Sequence, residues 1–188
     1  MKKTTFFLIA LFVSAFGQAQ SFQEGNLLVK GGIGISSPYY MRGSEGTIPP
    51  LSLIGDYALK DKIGVGAYVG YAVSRLNYLN NSNYENYITR QSYRMIGGRA
   101  TYHFWSKEHF DVYLGGMISY VFPGWKVIDP SNAYANSVID KPKFGGFKLA
   151  GFVGLNYSVN NNWGVFGEVG YSLSYVTGGA YWRIPQVK

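Results

Sequence analysis

The sequence has no cysteine, few charged residues and no long apolar run, and each absence excludes a class of protein. Without Cys the chain can form neither a disulfide scaffold nor a lipid anchor on a thiol. Charged residues make up 14% of the chain, well below the usual value of about 25%, which excludes a coiled coil or a charged disordered tail. The apolar run over Thr4–Phe16 is shorter than the roughly 20 residues of a membrane-spanning helix. The 188 residues are enough for one domain.

The first residues predict a cleaved targeting signal. Lys2 and Lys3 give a positive start, the apolar run follows, and the segment Gly17–Ala19 supplies small residues at the positions that determine cleavage. We therefore expect a signal peptide over residues 1–19 and one mature domain over residues 20–188. Without the two lysines the formal charge falls from +7 to +5, and the remaining basic residues are scattered. This excludes a basic stripe for nucleic acid, so we expect no nucleic-acid partner.

The rest of the chain alternates with a period of two residues, which predicts β-strands, and helical spacing persists nowhere. In the clearest strand Val65 and Val69 fall on one face, and Gly64 and Gly66 fall on the other. Eight strands are predicted, at about residues 26–36, 47–59, 62–74, 90–105, 109–121, 147–158, 163–173 and 176–184.

One of these strands, residues 90–105, does not alternate cleanly. Tyr93 and Met95 join the outward apolar set only if a β-bulge lies near Gly97 and Gly98, where the pattern changes phase. We therefore predict a bulge there.

The connections alternate between short and long, except that the last one, near Ser174 and Tyr175, is short where a long one is due. Short turns fall near residues 60–61, 106–108 and 160–162, and long connections cover about 37–46, 75–89 and 122–146. Short periplasmic turns, long external loops and strands of about 9 to 11 residues are typical of transmembrane barrels. The predicted fold is all-β, an eight-stranded antiparallel up-and-down transmembrane β-barrel.

The two faces of the strands indicate which side meets lipid. A soluble barrel needs a polar outside, but here the face opposite the apolar one is mostly Gly, Ala and Ser with a charge or two per strand. Small and charged residues suit a narrow lumen, so the apolar face is assigned to lipid. The charged residues expected inside the lumen are Lys30, Asp56, Arg94, Arg99, Asp111, Lys148, Glu168 and Arg183.

Regular register would pair Lys30 with Asp56, Arg99 with Asp111, and Glu168 with Arg183. Unpaired charges in such a lumen are costly, so opposite signs are expected to pair or to stay hydrated. Two interpretations remain open: a structural ion-pair plug and a gated or selective pore.

Aromatic residues cluster toward the strand ends, as two interfacial girdles require. The predicted girdle residues are Tyr57, Tyr102, Trp105, Phe110, Tyr157, Trp163 and Trp182 toward the short turns, and Tyr93, Tyr120 and Tyr171 toward the long connections.

Catalytic and metal-binding signals are weak. The two histidines, His103 and His109, fall near the short turns, where we expect interfacial or turn residues rather than catalysts. The sequence contains no Cys and no His pair at the spacing of metal ligands, so it does not predict a metal site. We expect no catalytic residue, no metal and no cofactor. The long connections carry charged residues of both signs, which are Arg42, Glu45, Arg75, Glu85, Arg90, Lys126, Asp129, Asp140, Lys141 and Lys143. Two interpretations remain open for these connections: contact with a host, a phage, a neighbouring cell or lipopolysaccharide phosphates, and a solvated surface with no partner.

The segment Gly164–Tyr171 and the closing strand Gly179–Ile184, with the signal and the eight alternating strands, resemble the small outer-membrane β-barrel proteins of Gram-negative bacteria, the OmpA/OmpX-like or porin-family group. The resemblance implies outer-membrane lipid and lipopolysaccharide as surroundings, and periplasmic chaperones and the barrel-insertion machinery as partners. It implies a non-catalytic structural or adhesion-like role through external loops, with an extracellular protein or cell-surface partner. A narrow porin-like channel is the alternative, and a lipid-modifying outer-membrane enzyme is the third.

Overall fold

A computed structural model describes residues 22–80, 85–107, 109–128 and 145–185, with only the backbone given for 78–80 and 85–87. The predicted signal peptide lies outside these ranges. The strands are β1 (Leu27–Ile35), β2 (Glu45–Lys60), β3 (Ile63–Asn80), β4 (Glu85–Lys107), β5 (Phe110–Val127), β6 (Gly146–Ser158), β7 (Trp163–Gly170) and β8 (Val176–Ile184). The described ranges contain no helix with the length and hydropathy to cross a membrane.

The eight strands form one closed antiparallel barrel. Each strand pairs with the next in sequence, and β8 pairs with β1 from Leu27 opposite Ile184 to Ile35 opposite Val176. Closure leaves no free sheet edge around the wall, so the backbone groups of the wall are satisfied within the sheet. The predicted fold class is confirmed.

The alternation places apolar side chains outside. Along β5, Leu114 and Ile118 are 49% and 61% exposed, whereas Tyr113 and Met117 are buried. A soluble barrel has a polar outer surface, whereas the outer surface here is largely apolar. This agrees with the sequence-based assignment of the apolar face to lipid.

At the short-turn end, side chains fix the turn between β6 and β7. The Asn160 Oδ1 atom accepts hydrogen bonds from the backbone N–H groups of Asn162, at 2.8 Å, and Trp163, at 3.0 Å. This Asx-type turn explains why three consecutive asparagines mark a tight connection.

The predicted bulge at Gly97 and Gly98 was wrong. From Ile63 opposite Tyr102 to Asn80 opposite Glu85, β4 pairs with β3 without a shift, and against β5 its register shifts only between His103 and Trp105. Regular alternation therefore runs through both glycines.

Strands β3, β4 and β5 are 18, 23 and 18 residues long, against 8 for β7. Most of the predicted loop at 75–89 and the start of the one at 122–146 are strand. The β-branched and aromatic residues in these segments, such as Ile88, Thr89 and Trp125, favour strand despite the surrounding Arg and Asn. Residues 75–80, 85–92 and 122–127 form a three-stranded extension, which we call the outer ribbon.

Candidate functional site

Four charged side chains meet at the centre of the lumen. Lys30 Nζ lies 3.0 Å from Asp56 Oδ2, and Arg99 bridges Asp56 Oδ1, at 3.1 Å from Nε, and Glu168 Oε1, at 2.6 Å from Nη2. The side chains are at most 9% exposed. They come from β1, β2, β4 and β7, so the contacts cross the lumen as well as neighbouring strands. We call these four residues the central network.

The two positive and two negative charges of the central network balance. Arg99 donates two hydrogen bonds to Glu168, from Nη2 to Oε1 at 2.6 Å and from Nη1 to Oε2 at 3.1 Å. This bidentate geometry is the strong form of an arginine–carboxylate contact. Asp56 contacts Lys30 and Arg99 at ion-pair distances without hydrogen-bond angles. Because each charge has an opposite partner, the cost of burying it is largely offset.

Aromatic rings complete the centre. The Tyr113 hydroxyl accepts a hydrogen bond from Lys30 Nζ at 3.1 Å and donates one to Glu168 Oε1 at 2.7 Å. The Arg99 guanidinium lies 4.2 Å from the centroid of Phe152. Lys30 Nζ lies 4.4 Å from the centroid of the Tyr113 ring, so an aromatic ring packs on each of the two cations.

Inward glycines make room for this packing. A Cβ added at Gly66 would collide with the Asp56 carboxylate, and one added at Gly154 would collide with the Tyr113 ring. The small residues predicted on the inward face therefore leave the space that a few large side chains fill.

A second cluster lies between the central network and the short-turn end. His103 Nδ1 lies 2.7 Å from Asp111 Oδ1, and Asn156 Nδ2 donates to Asp111 Oδ2 at 2.8 Å. Thr101 Oγ1 lies 3.1 Å from His103 Nε2. Phe22 stacks on the imidazole, with ring centroids 3.5 Å apart.

Asp111, His103 and Thr101 are arranged in the order of a nucleophile relay. All three are at most 4% exposed, and Phe22 covers the ring, so a substrate has no access in this conformation. The contacts of the cluster join β4, β5 and β6 at this end of the barrel.

The second cluster corrects two expectations. Asp111 contacts His103 rather than Arg99, and His103 is a buried lumen residue rather than an interfacial one. Its position could have been found from the sequence, since His103 follows Arg99 and Thr101 on the same alternating face.

Above the central network, toward the long connections, the lumen is filled by apolar and tyrosine side chains. These buried residues are Tyr39, Tyr68, Tyr93, Met95, Met117 and Leu173. Tyr93 donates a hydrogen bond to Gln91 Oε1 at 2.9 Å, and its ring lies 5.9 Å from that of Tyr39. Burial raises the pKa of Tyr39 to about 12.

Tyr93 was wrongly predicted in the girdle, and Arg94 was wrongly predicted in the lumen. Without a bulge at the glycines, the alternation reverses before them, so Tyr93 is fully buried and Arg94 is exposed beside Phe122 of β5.

The last two predicted lumen residues lie on the inward face but outside the central network. Lys148 is half-buried opposite Ser119. Arg183 donates to Ser158 Oγ at 2.9 Å and to the Asn161 carbonyl at 3.2 Å. Arg183 lies near the short-turn end of β8. Regular register was expected to bring Arg183 to Glu168, but the β8 residue in register with Glu168 is Thr177.

The other predicted girdle residues lie on the outward face. Tyr57, Tyr102, Trp105, Phe110, Trp163, Trp182, Tyr120 and Tyr171 are exposed, and Tyr157 is half-buried against Phe110. In the described part of the chain, no group of three or more His, Cys, Asp or Glu side chains could hold a metal ion.

No known protein-family model matches the sequence, and no curated protein matches it. Among solved structures, the barrel is similar to the outer membrane protein OprG from Pseudomonas aeruginosa, at 14% identity and a TM-score of 0.58, covering 89% of this chain and 100% of that one. The N-terminal barrel of Pseudomonas aeruginosa OprF matches at 11% identity and a TM-score of 0.46, covering 86% and 98%. Ail from Yersinia pestis matches at 14% identity and a TM-score of 0.40, covering 86% and 100%. The OprG match shows that this fold is shared with an outer-membrane barrel.

Proposed function

We propose that the chain is an integral outer-membrane protein of a Gram-negative bacterium, that its lumen is closed, and that it acts through its external surface. In this proposal it neither conducts solutes nor catalyses a reaction.

The outward face supports a membrane location. Exposed Ile, Leu, Val and Phe side chains cover the wall, for example Leu149, which is 78% exposed. Strands β1, β7 and β8 have 9, 8 and 9 residues, close to the length needed to cross a bilayer as tilted strands. Trp105, Trp163 and Trp182 lie outward near the short turns, as an interfacial girdle requires.

The central network is the observation that carries the closed-lumen proposal. Four charges and the Tyr113 ring occupy the middle of a barrel whose eight strands leave little interior space. A water-filled path would have to break bidentate and charge-balanced contacts. Phe22 below and the tyrosine-rich region above add a second and a third barrier.

The outer ribbon supports a surface role. Beyond Val121, which pairs with Gly146 of β6, the described part of β5 pairs only with β4. The ribbon thus presents the edge of a strand together with exposed Ile88, Phe122 and Lys126 side chains. A projecting sheet with apolar and charged groups is suited to contact a macromolecule.

Single-channel recording in a planar bilayer tests the closed lumen. The refolded barrel, shown to be folded by a mobility shift between boiled and unboiled samples on a detergent gel, is expected to give no stable conductance steps. Reproducible steps from the same sample would support the narrow porin-like channel instead.

Shortening the outer ribbon tests the surface role. Replacing residues 77–88 with Asn-Gly should leave the gel shift intact, because the central network is untouched, and should reduce adhesion of cells displaying the protein to a host-cell monolayer. Full adhesion by the shortened variant would contradict a role for the ribbon.

A further inference from the structure

Three basic residues form a row across the base of the outer ribbon. Arg75 of β3 is directly opposite Arg90 of β4, and Arg90 is directly opposite Lys126 of β5. All three are exposed. Directly opposite residues in an antiparallel sheet project from the same face with Cβ atoms about 5 Å apart. We call Arg75, Arg90 and Lys126 the basic row.

The row lies on the outward face of the wall. On β4, Arg90 has the same parity as Arg94 and Ile96, which are exposed, and the opposite parity to the buried Gln91 and Tyr93. The positive charges therefore project to the outside of the barrel and not into the lumen.

The height of the row matches the outer edge of the membrane. From Ile63 to Arg75 the strand climbs about 30 Å, given about 3.3 Å per residue and a tilt of about 40°, against an apolar band about 25 Å tall. Just below the row, Tyr71, Tyr120 and Phe122 face outward. The row is thus placed where lipid headgroups lie, directly above interfacial aromatics.

Like charges directly opposite one another are destabilising unless an anion lies between them. Glu45 is in register with Arg75 at one end of the row. Across the described ranges, however, no ion pair within 4.0 Å involves any of the three basic side chains. An external anion with several oxygens would satisfy two guanidinium groups and an ammonium together.

We propose that the basic row binds the phosphate groups of the phosphorylated glycolipid, lipopolysaccharide, in the outer leaflet. The inference rests on the proposed membrane location and assigns a lipid site to it. Arginines supply forked donors for phosphate oxygens, the lysine adds a point charge, and the aromatics below contact the acyl-chain region.

Native mass spectrometry of the refolded full chain in a neutral detergent tests this site. The probes are bisphosphorylated lipid A, the same lipid with both phosphates removed, and inorganic pyrophosphate. The row variant carries Arg75→Gln, Arg90→Gln and Lys126→Gln. Its matched control carries Lys60→Gln, Lys62→Gln and Lys107→Gln, which remove the same charge from exposed positions at the short-turn end.

Each basic group near a lipid surface changes affinity about fivefold, so the row variant should bind lipid A at least ten times more weakly than the wild type. The control should bind as the wild type does, and dephosphorylated lipid A should bind weakly to all three proteins. Equal binding of lipid A by the row variant and the control would overturn the proposal. Pyrophosphate binding as tight as lipid A binding would also overturn it, by assigning the row to free phosphate.

Insertion of the same preparations into lipid vesicles tests the proposed function separately. All three proteins should insert and show the gel shift, because the row lies outside the central network. Failure of the wild type to insert would contradict the membrane location whatever the lipid A result.

Discussion

Two arginines on β4 show how differently the two faces of the wall use the same side chain. Arg99 is buried and held between Asp56 and Glu168, whereas Arg94 is exposed on the outside. Strand alternation alone separates the two environments. Side chains on the outward face have to be apolar but need no particular contact partner. Side chains on the inward face need particular partner side chains at particular distances.

The same contrast holds for glycine. Gly154 faces the lumen and leaves room for the Tyr113 ring, whereas Gly151 faces outward with no atom within 4 Å of an added Cβ. Substitutions should therefore be tolerated outside and costly inside, unless an outward substitution brings a charge into the bilayer.

The largest effect is expected from the arginine pair. Arg99→Met leaves Asp56 and Glu168 buried without their shared partner, which should lower the free energy of unfolding by about 3 to 5 kcal/mol. Arg94→Met should change it by no more than about 0.5 kcal/mol. Urea titrations of the refolded proteins, followed by tryptophan fluorescence, measure both values. Similar losses for the two variants would contradict the face assignment.

A charge placed on the lipid side should come next. Val153 faces outward near the middle of β6, in register with Leu114 and Val169. In vesicles, Val153→Arg should cost about 2 to 4 kcal/mol, and Phe147→Arg, nearer the membrane edge on the same face, about 0 to 1 kcal/mol. If Val153→Arg cost nothing, the outward face would not meet lipid.

The smallest effect is expected from the glycines. Gly154→Ala should cost about 1 to 3 kcal/mol, because the added Cβ forces Tyr113 to move. Gly151→Ala should be neutral or slightly stabilising, since the site is open and alanine restricts the unfolded chain. The same urea titration applies, and equal values for the two variants would show that the lumen is loosely packed.

Alternation was sufficient to predict the number of strands, the barrel and the apolar outside, because a period of two is fixed by strand geometry. It failed around Gly97 and Gly98, where two residues without side chains carry no information about which face is apolar. Tyr93 and Arg94 were consequently placed on the wrong faces.

The contacts of the central network could not be predicted for a different reason. Alternation shows that Arg99 and Glu168 face inward, but they lie on β4 and β7, which do not pair. Their contact depends on the stagger of the strands and the width of the lumen. The assumption that ion pairs form between neighbouring strands correctly predicted the pair of Lys30 and Asp56. It wrongly predicted a pair of Arg99 and Asp111, because Arg99 contacts Asp56 and Asp111 contacts His103.

A double-mutant cycle between Arg99 and Glu168 tests the central claim most directly. Arg99→Met, Glu168→Gln and the double variant are unfolded in urea, with Arg94→Met replacing Arg99→Met in a parallel control cycle. A direct contact predicts a coupling energy of about 1 to 3 kcal/mol for Arg99 with Glu168, and additivity within about 0.5 kcal/mol for Arg94 with Glu168. Additive effects for Arg99 and Glu168 would contradict a lumen closed by a connected charge network.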